Sequence, residues 1–186
     1  MDLIPELRLG LVNGWWFSSA YLLINGAVMA LIPREAARRL TTHPSKNLFE
    51  KIFLTIQMIL FFGTIVFAIF VPVKPGTVWF WSGLSVFVIG MAAYVVSMFN
   101  FAKAPMDKPA LNGLYRISRN PIHVFSFVAW IGIGIAAASW IILSATVIVQ
   151  IMMHKTTLEE ERFCLEAYGD SYRKYMKEVP RYLLFF

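Results

Sequence analysis

The sequence predicts an all-α, polytopic membrane protein with five transmembrane helices, the last two forming a helical hairpin, and cytoplasmic C-terminal helices. Three observations predict it. Of the 186 residues, 58% are hydrophobic and only 15% charged, too few charges to cover a soluble domain of this size. The excess is gathered in four uncharged runs, at residues 11–32, 52–73, 75–102 and 120–154. When these runs are threaded as five spans, 15 of the 17 lysines and arginines fall on one side of the bilayer.

The first span is expected at 11–32. It reads as a retained helix and not a removable signal peptide, because it lacks a clustered basic n-region, is too long for an h-region and offers no small-x-small cleavage site. The segment from Pro33 to Leu40 follows as a short basic interfacial helix opened by proline, a positive-inside anchor touching lipid headgroups. The second and third spans are expected at 52–73 and 77–102, each near the ~20 residues that cross a hydrocarbon core. Pro105, Pro109 and Gly113 interrupt the loop 103–119, so it is not one helix.

The fourth run decides the topology. As one helix, 120–154 would measure roughly 52 Å, far more than a core of about 30 Å needs. Folding back near Ala137 to Trp140 gives two spans, 121–137 and 140–154, with Asn120 as N-cap and Pro121 in the first helical position. Four spans would split the basic residues nine against eight. Five spans put the N-terminus outside and the C-terminus in the cytoplasm, in the plasma membrane of a prokaryote. Trp15, Trp16, Trp79, Trp81 and Trp140 then sit at the outer interface, with Trp130 inside a span. The tail, 155–186, continues the fifth helix to Tyr168, stops at Gly169, forms a second short helix near 171–177, and returns the apolar residues 182–186 to the membrane surface. No composition break divides the chain, so a single membrane domain over 1–186 is expected.

The spans hold no Asp, Glu, Lys or Arg, which argues against a pump or ion-coupled transporter and places any chemistry at the cytoplasmic face. Cys164 is the only cysteine and reads as a small apolar residue. His43, His123 and His154 are scattered, so no metal site is predicted. Two polar clusters flank the hairpin: Gly113, Tyr115, Arg116, Arg119, Asn120, Pro121 and His123 before it, and Glu159, Glu160, Glu161, Arg162, Tyr168, Tyr172, Tyr175 and Arg181 after it. A hairpin brings its two ends together, so the clusters share one pocket. A helix N-terminus beside an arginine attracts an anion and the acidic cluster a cation, so a zwitterion fits between them.

The order Gly113-x-Tyr115-x-x-x-Arg119-Asn120-Pro121-x-His123, then Glu160-Glu161, then Tyr168-Gly169-x-x-Tyr172-x-x-Tyr175-x-x-x-Val179-Pro180-Arg181 resembles the signature of integral-membrane methyltransferases. That group includes the isoprenylcysteine carboxyl methyltransferases and the phospholipid N-methyltransferases. The resemblance covers residues 111–183 by motif. It implies S-adenosylmethionine as cofactor, with Gly113, Tyr115, Arg119, Asn120, Pro121, Ile122 and His123 on one side and Glu160 and Glu161 on the other. It departs at Asn120, where the family often has histidine, and at His123, where it usually has tyrosine.

Arg119, Arg181, Glu161 and His123 are the catalytic candidates. A protonated lipid amine would need a general base, with His123, Tyr115 or Glu161 available, and a carboxylate acceptor would want Arg119 and Arg181 as a clamp. The acceptor is expected to be lipophilic, a prenylcysteine-type carboxylate or a phospholipid amine. Membrane lipids are the expected surroundings, no nucleic acid is expected, and no protein partner is legible. Two other readings stay open: an NADPH-dependent reductase of the sterol or steroid type, against which the acidic triplet argues, and a non-enzymatic lipid-binding subunit. Tyr168, Tyr172 and Tyr175 read as interfacial anchors.

Overall fold

A computed structural model describes residues 6–41 and 48–183. Within them the chain forms seven α-helices and one 3-10 turn, with no strand beyond an isolated antiparallel bridge between Asn13 and Pro72. His43 and residues 184–186, the end of the segment expected to return to the membrane, lie outside the described residues.

Helix α1 spans Trp15–Leu31, starting later than the apolar run because residues 8–14 lie before the helix as a non-helical lead-in of bends, one bridge and a turn. The buried Asn13 amide donates to the carbonyls of Arg8 and Ile69, at 2.6 and 2.8 Å. Gly14 N donates to Val71 O and Val73 N to Val12 O, at 2.9 and 3.0 Å. This pairing also explains why α3, Leu48–Phe70, ends three residues before its apolar run does. Residue 32 is extended, as a residue before proline tends to be, and so closes α1. The basic helix α2, Arg34–Thr41, follows.

Helix α4, Val78–Ala102, is opened by Thr77, whose hydroxyl accepts from Phe80 N at 3.2 Å. After the loop and the 3-10 turn Gly113–Arg116 comes α5, Pro121–Ala136. A turn at Ala137 and Ala138 leads to Ser139, which caps α6 by accepting from Ile142 N at 3.4 Å. Helix α6 runs unbroken from Trp140 to Tyr168, so the apolar stretch 140–154 is only its first half. Helix α7, Asp170–Glu178, turns back from Gly169.

By length and composition α3, α4 and α6 can each cross a membrane, whereas α1 and α5 are apolar but shorter, at 17 and 16 residues. The closest helix pair is α4 with α5, not the two arms of the hairpin. Its basis is backbone contact: a Cβ on Gly132 would run into Phe87 N, and one on Gly83 into Ala136 N. Helix α6 lies against α3 and α5. Tyr21, Phe61, Tyr94 and the buried Trp130 form an aromatic centre among α1, α3, α4 and α5. The start of α5 is thus anchored on α4 while facing the polar half of α6.

Candidate active site

A cleft opens where α2, the 103–119 loop, the start of α5, the polar half of α6 and α7 converge. Arg119 organises its floor. The side chain is buried, and its Nε donates to Glu161 Oε1 at 3.0 Å while Nη2 reaches Oε2 at 3.4 Å. Its Nη1 donates to the carbonyls of Met176 and Val179, both at 2.8 Å. Met176 lies in the last turn of α7 and Val179 is its C-cap, where unsatisfied acceptors and the negative end of the helix dipole favour a cation. The main chain adds Arg119 N to Pro180 O at 2.9 Å, and Ser118 Oγ donates to Arg181 O at 2.8 Å. Residues 118–119 are thereby fastened along 180–181.

Glu161 is buried as well and completes the triad. Arg181 Nε donates to its Oε2 at 3.0 Å, and Asn120 Nδ2 to its Oε1 at 3.0 Å. Both carboxylate oxygens are therefore engaged by protein donors. The two arginines expected to clamp an anionic acceptor already hold this acid instead.

Asn120 occupies the N-cap position, but its side chain makes no cap bond because the amide is committed to Glu161. With no side-chain cap, the amides of Ile122 and His123 in the first turn lack an intrahelical acceptor, and both residues line the cleft. His123 Nδ1 lies 3.1 Å from the hydroxyl of the buried Thr157, and its Nε2 lies 3.8 Å from Glu160 Oε2. Glu160 lines the same cleft.

The sequence-derived residues therefore divide by place. Tyr115, Arg119, Asn120, Ile122, His123, Glu160 and Glu161 line the cleft, and Gly113, Pro121 and Arg181 do not. Gly113 has φ +55° and packs so tightly on the Asn100 side chain that a Cβ there would collide with it, while Asn100 Oδ1 accepts from Leu114 N at 2.9 Å. It shapes the turn carrying Tyr115. Pro121 is buried at the start of α5, and Arg181 acts behind the wall through Glu161.

Tyr172 and Tyr175 are buried cleft walls, contrary to their reading as interfacial anchors: Tyr175 donates to Tyr115 O at 2.6 Å. Burial pushes the Tyr115, Tyr172 and Tyr175 hydroxyls well above their ordinary range, which favours their protonated forms. Burial likewise raises the Cys164 thiol to about 11, keeping it protonated. Sequence reasoning missed Arg39 of α2, which it took for a lipid anchor. Its guanidinium lies 4.6 Å from the Phe101 ring centre and donates to Tyr168 OH at 2.8 Å, at the rim of the cleft.

The model of the phospholipid methyltransferase family matches residues 76–171, more than half of the chain. The chain belongs to that family. Among curated proteins no match was found. As a member of the phospholipid methyltransferase family with long apolar helices, the protein is a membrane methyltransferase, which sets aside the reductase and the non-enzymatic subunit. The matched stretch contains the loop, Arg119, His123 and Glu161, whereas Arg39 precedes it and the Met176, Val179 and Arg181 partners follow it.

Proposed function

We propose that the cleft binds S-adenosylmethionine and that the protein methylates the amine of a phospholipid, with five membrane crossings and the cleft on the cytoplasmic side. The observation that carries this reading is the pairing of unlike polar walls. The uncapped first turn of α5 offers N–H donors for a carboxylate, and Glu160, one imidazole away, offers acceptors for an ammonium. Those two groups stand on one α-carbon at the methionine end of the cofactor. The aromatic faces of Phe101, Tyr115 and Tyr172 suit a flat ring and a sulfonium. When bound, S-adenosylmethionine supplies an electrophilic methyl group, which the acceptor amine takes.

The protein's part is alignment, exclusion of water and proton transfer. His123 takes the proton that a lipid ammonium must shed. The tautomer protonated at Nδ1 donates to Thr157 and leaves the Nε2 lone pair beside Glu160, which stabilises the imidazolium that forms. A carboxylate offers about four acceptor positions, so Glu160 can serve both tasks. The Arg119–Glu161–Arg181 triad fixes the floor on which these groups stand.

Calorimetric titration of S-adenosylmethionine into the full chain in lipid nanodiscs is the test. Saturable binding is expected, weakened about ten-fold or more by Glu160→Gln, which removes one charge-assisted contact. A folded wild-type protein that takes up none would defeat the reading.

A further inference from the structure

Among the described residues lining the cleft, Arg39 alone carries a fixed positive charge with no carboxylate partner. Arg119 spends its charge on Glu161, and His123 stands beside Glu160. Arg39 is instead held by neutral groups: Nη1 donates to Pro105 O at 3.4 Å, and Nη2 to Lys108 O at 3.2 Å and Tyr168 OH at 2.8 Å. Phe101 and Tyr168 flank the guanidinium at 4.6 and 5.8 Å. It is positioned by three elements, α4, the loop and α6, yet its charge is unanswered.

We propose that Arg39 binds the phosphate of the phospholipid acceptor, and so selects a phosphodiester lipid over other lipophilic amines. This rests on the methyltransferase reading. Depth supports the assignment: α2 is basic, with Arg34, Arg38 and Arg39, and joins two apolar helices, which sets it at the level of lipid phosphates. Arg39 is followed by Leu40, a further cleft residue and an apolar surface for the lipid beyond the phosphate.

Spacing argues for the acceptor over the cofactor carboxylate. Arg39 is fastened at Tyr168, whose backbone position lies eight residues along α6 from Glu160, roughly 12 Å of helix. With the cofactor's carboxylate assigned to the first turn of α5 and its ammonium to Glu160, Arg39 is left for a second molecule: the phosphate at Arg39, and the lipid's amine and the methyl group meeting between them. A guanidinium is the side chain whose planar fork matches phosphate oxygens, and aromatic flanks keep it in place when the cleft is empty.

The test compares two acceptors, phosphatidylethanolamine and octadecylamine, a primary amine of similar chain character without phosphate, using the full chain in nanodiscs. Arg39→Gln should raise KM for phosphatidylethanolamine about ten-fold or more while octadecylamine and S-adenosylmethionine affinity change by less than about two-fold. Arg39→Lys keeps the charge and should fall between. Equal losses for both acceptors, or weaker S-adenosylmethionine binding with unchanged phospholipid KM, would overturn the proposal. Native mass spectrometry of lipid retained by the wild type and Arg39→Lys gives a readout without turnover. Preference for phosphatidylethanolamine over octadecylamine is expected even if S-adenosylmethionine fails to bind and the methyltransferase reading falls; equal retention would sink the role of Arg39.

Discussion

Glu161 shows how one buried charge can organise a site through its protein partners. Its oxygens receive Arg119, Asn120 and Arg181, residues from the start of α5 and from beyond α7. Glu161→Gln keeps the volume but leaves two guanidinium groups facing a neutral amide. Loss of one partner from a buried pair costs roughly 3–5 kcal/mol, so a clear fall in thermal midpoint in detergent is expected, larger than for Glu160→Gln. Equal midpoints for the two variants would contradict the structural role. Cys164 supplies a second prediction. Because burial raises its thiol to about 11 from an ordinary value near 9, the folded state favours the protonated form. That contribution to stability is whole below about pH 9 and is lost as pH rises through about 11. Alkylation by iodoacetamide at pH 8 should accordingly be slow in the folded protein and fast in denaturant; equal rates would refute the shift.

At the scale of helices, the cleft depends on how closely α5 rides on α4. Gly132 faces the backbone at Phe87 and Gly83 the backbone at Ala136, so any side chain must push the helices apart. Gly132→Val should displace the first turn of α5 relative to α6 and lower activity as well as thermal midpoint, whereas Gly26→Ala, where an added Cβ meets nothing within 4 Å, should change neither. The helices were legible because their signals are local: Pro33, Pro121, the 137–140 turn and Gly169 all mark real ends. The late start of α1 was not, since it depends on Asn13 reaching Ile69, 56 residues away. The site divides the same way. His123, Glu160 and Glu161 stand out as polar groups beside an apolar run, but whether an acid faces a ligand or an arginine depends on tertiary pairing. Arg39 looked like any positive-inside residue because its partners lie 66 to 129 residues away.

For the whole molecule, the proposed five-span thread has to accommodate two short helices. At 1.5 Å per residue α1 and α5 reach only about 25 Å, short of a core near 30 Å. Helix α1 is preceded by the non-helical residues 8–14, which are tied to residues 69–73 at and after the end of α3 through Arg8 N, Val12 O, the Asn13 amide and Gly14 N, so that part of this irregular backbone is satisfied within the protein. Helix α5 is sheltered by α4 and α6 and can rest on a locally thinned bilayer. The proposed thread would put α2, the 103–119 loop and the C-terminal helices on one side, together with the cleft, and the 71–77 turn on the other. Single cysteines introduced as Lys74→Cys, Lys108→Cys and Arg173→Cys in a Cys164→Ala background report this directly, since all three positions are exposed. An impermeant maleimide added to intact cells should label position 74 alone, and positions 108 and 173 should react only once the membrane is opened. Labelling of 108 and 173 from opposite sides would separate the two walls of the cleft by a bilayer and end the five-span reading together with the cytoplasmic site.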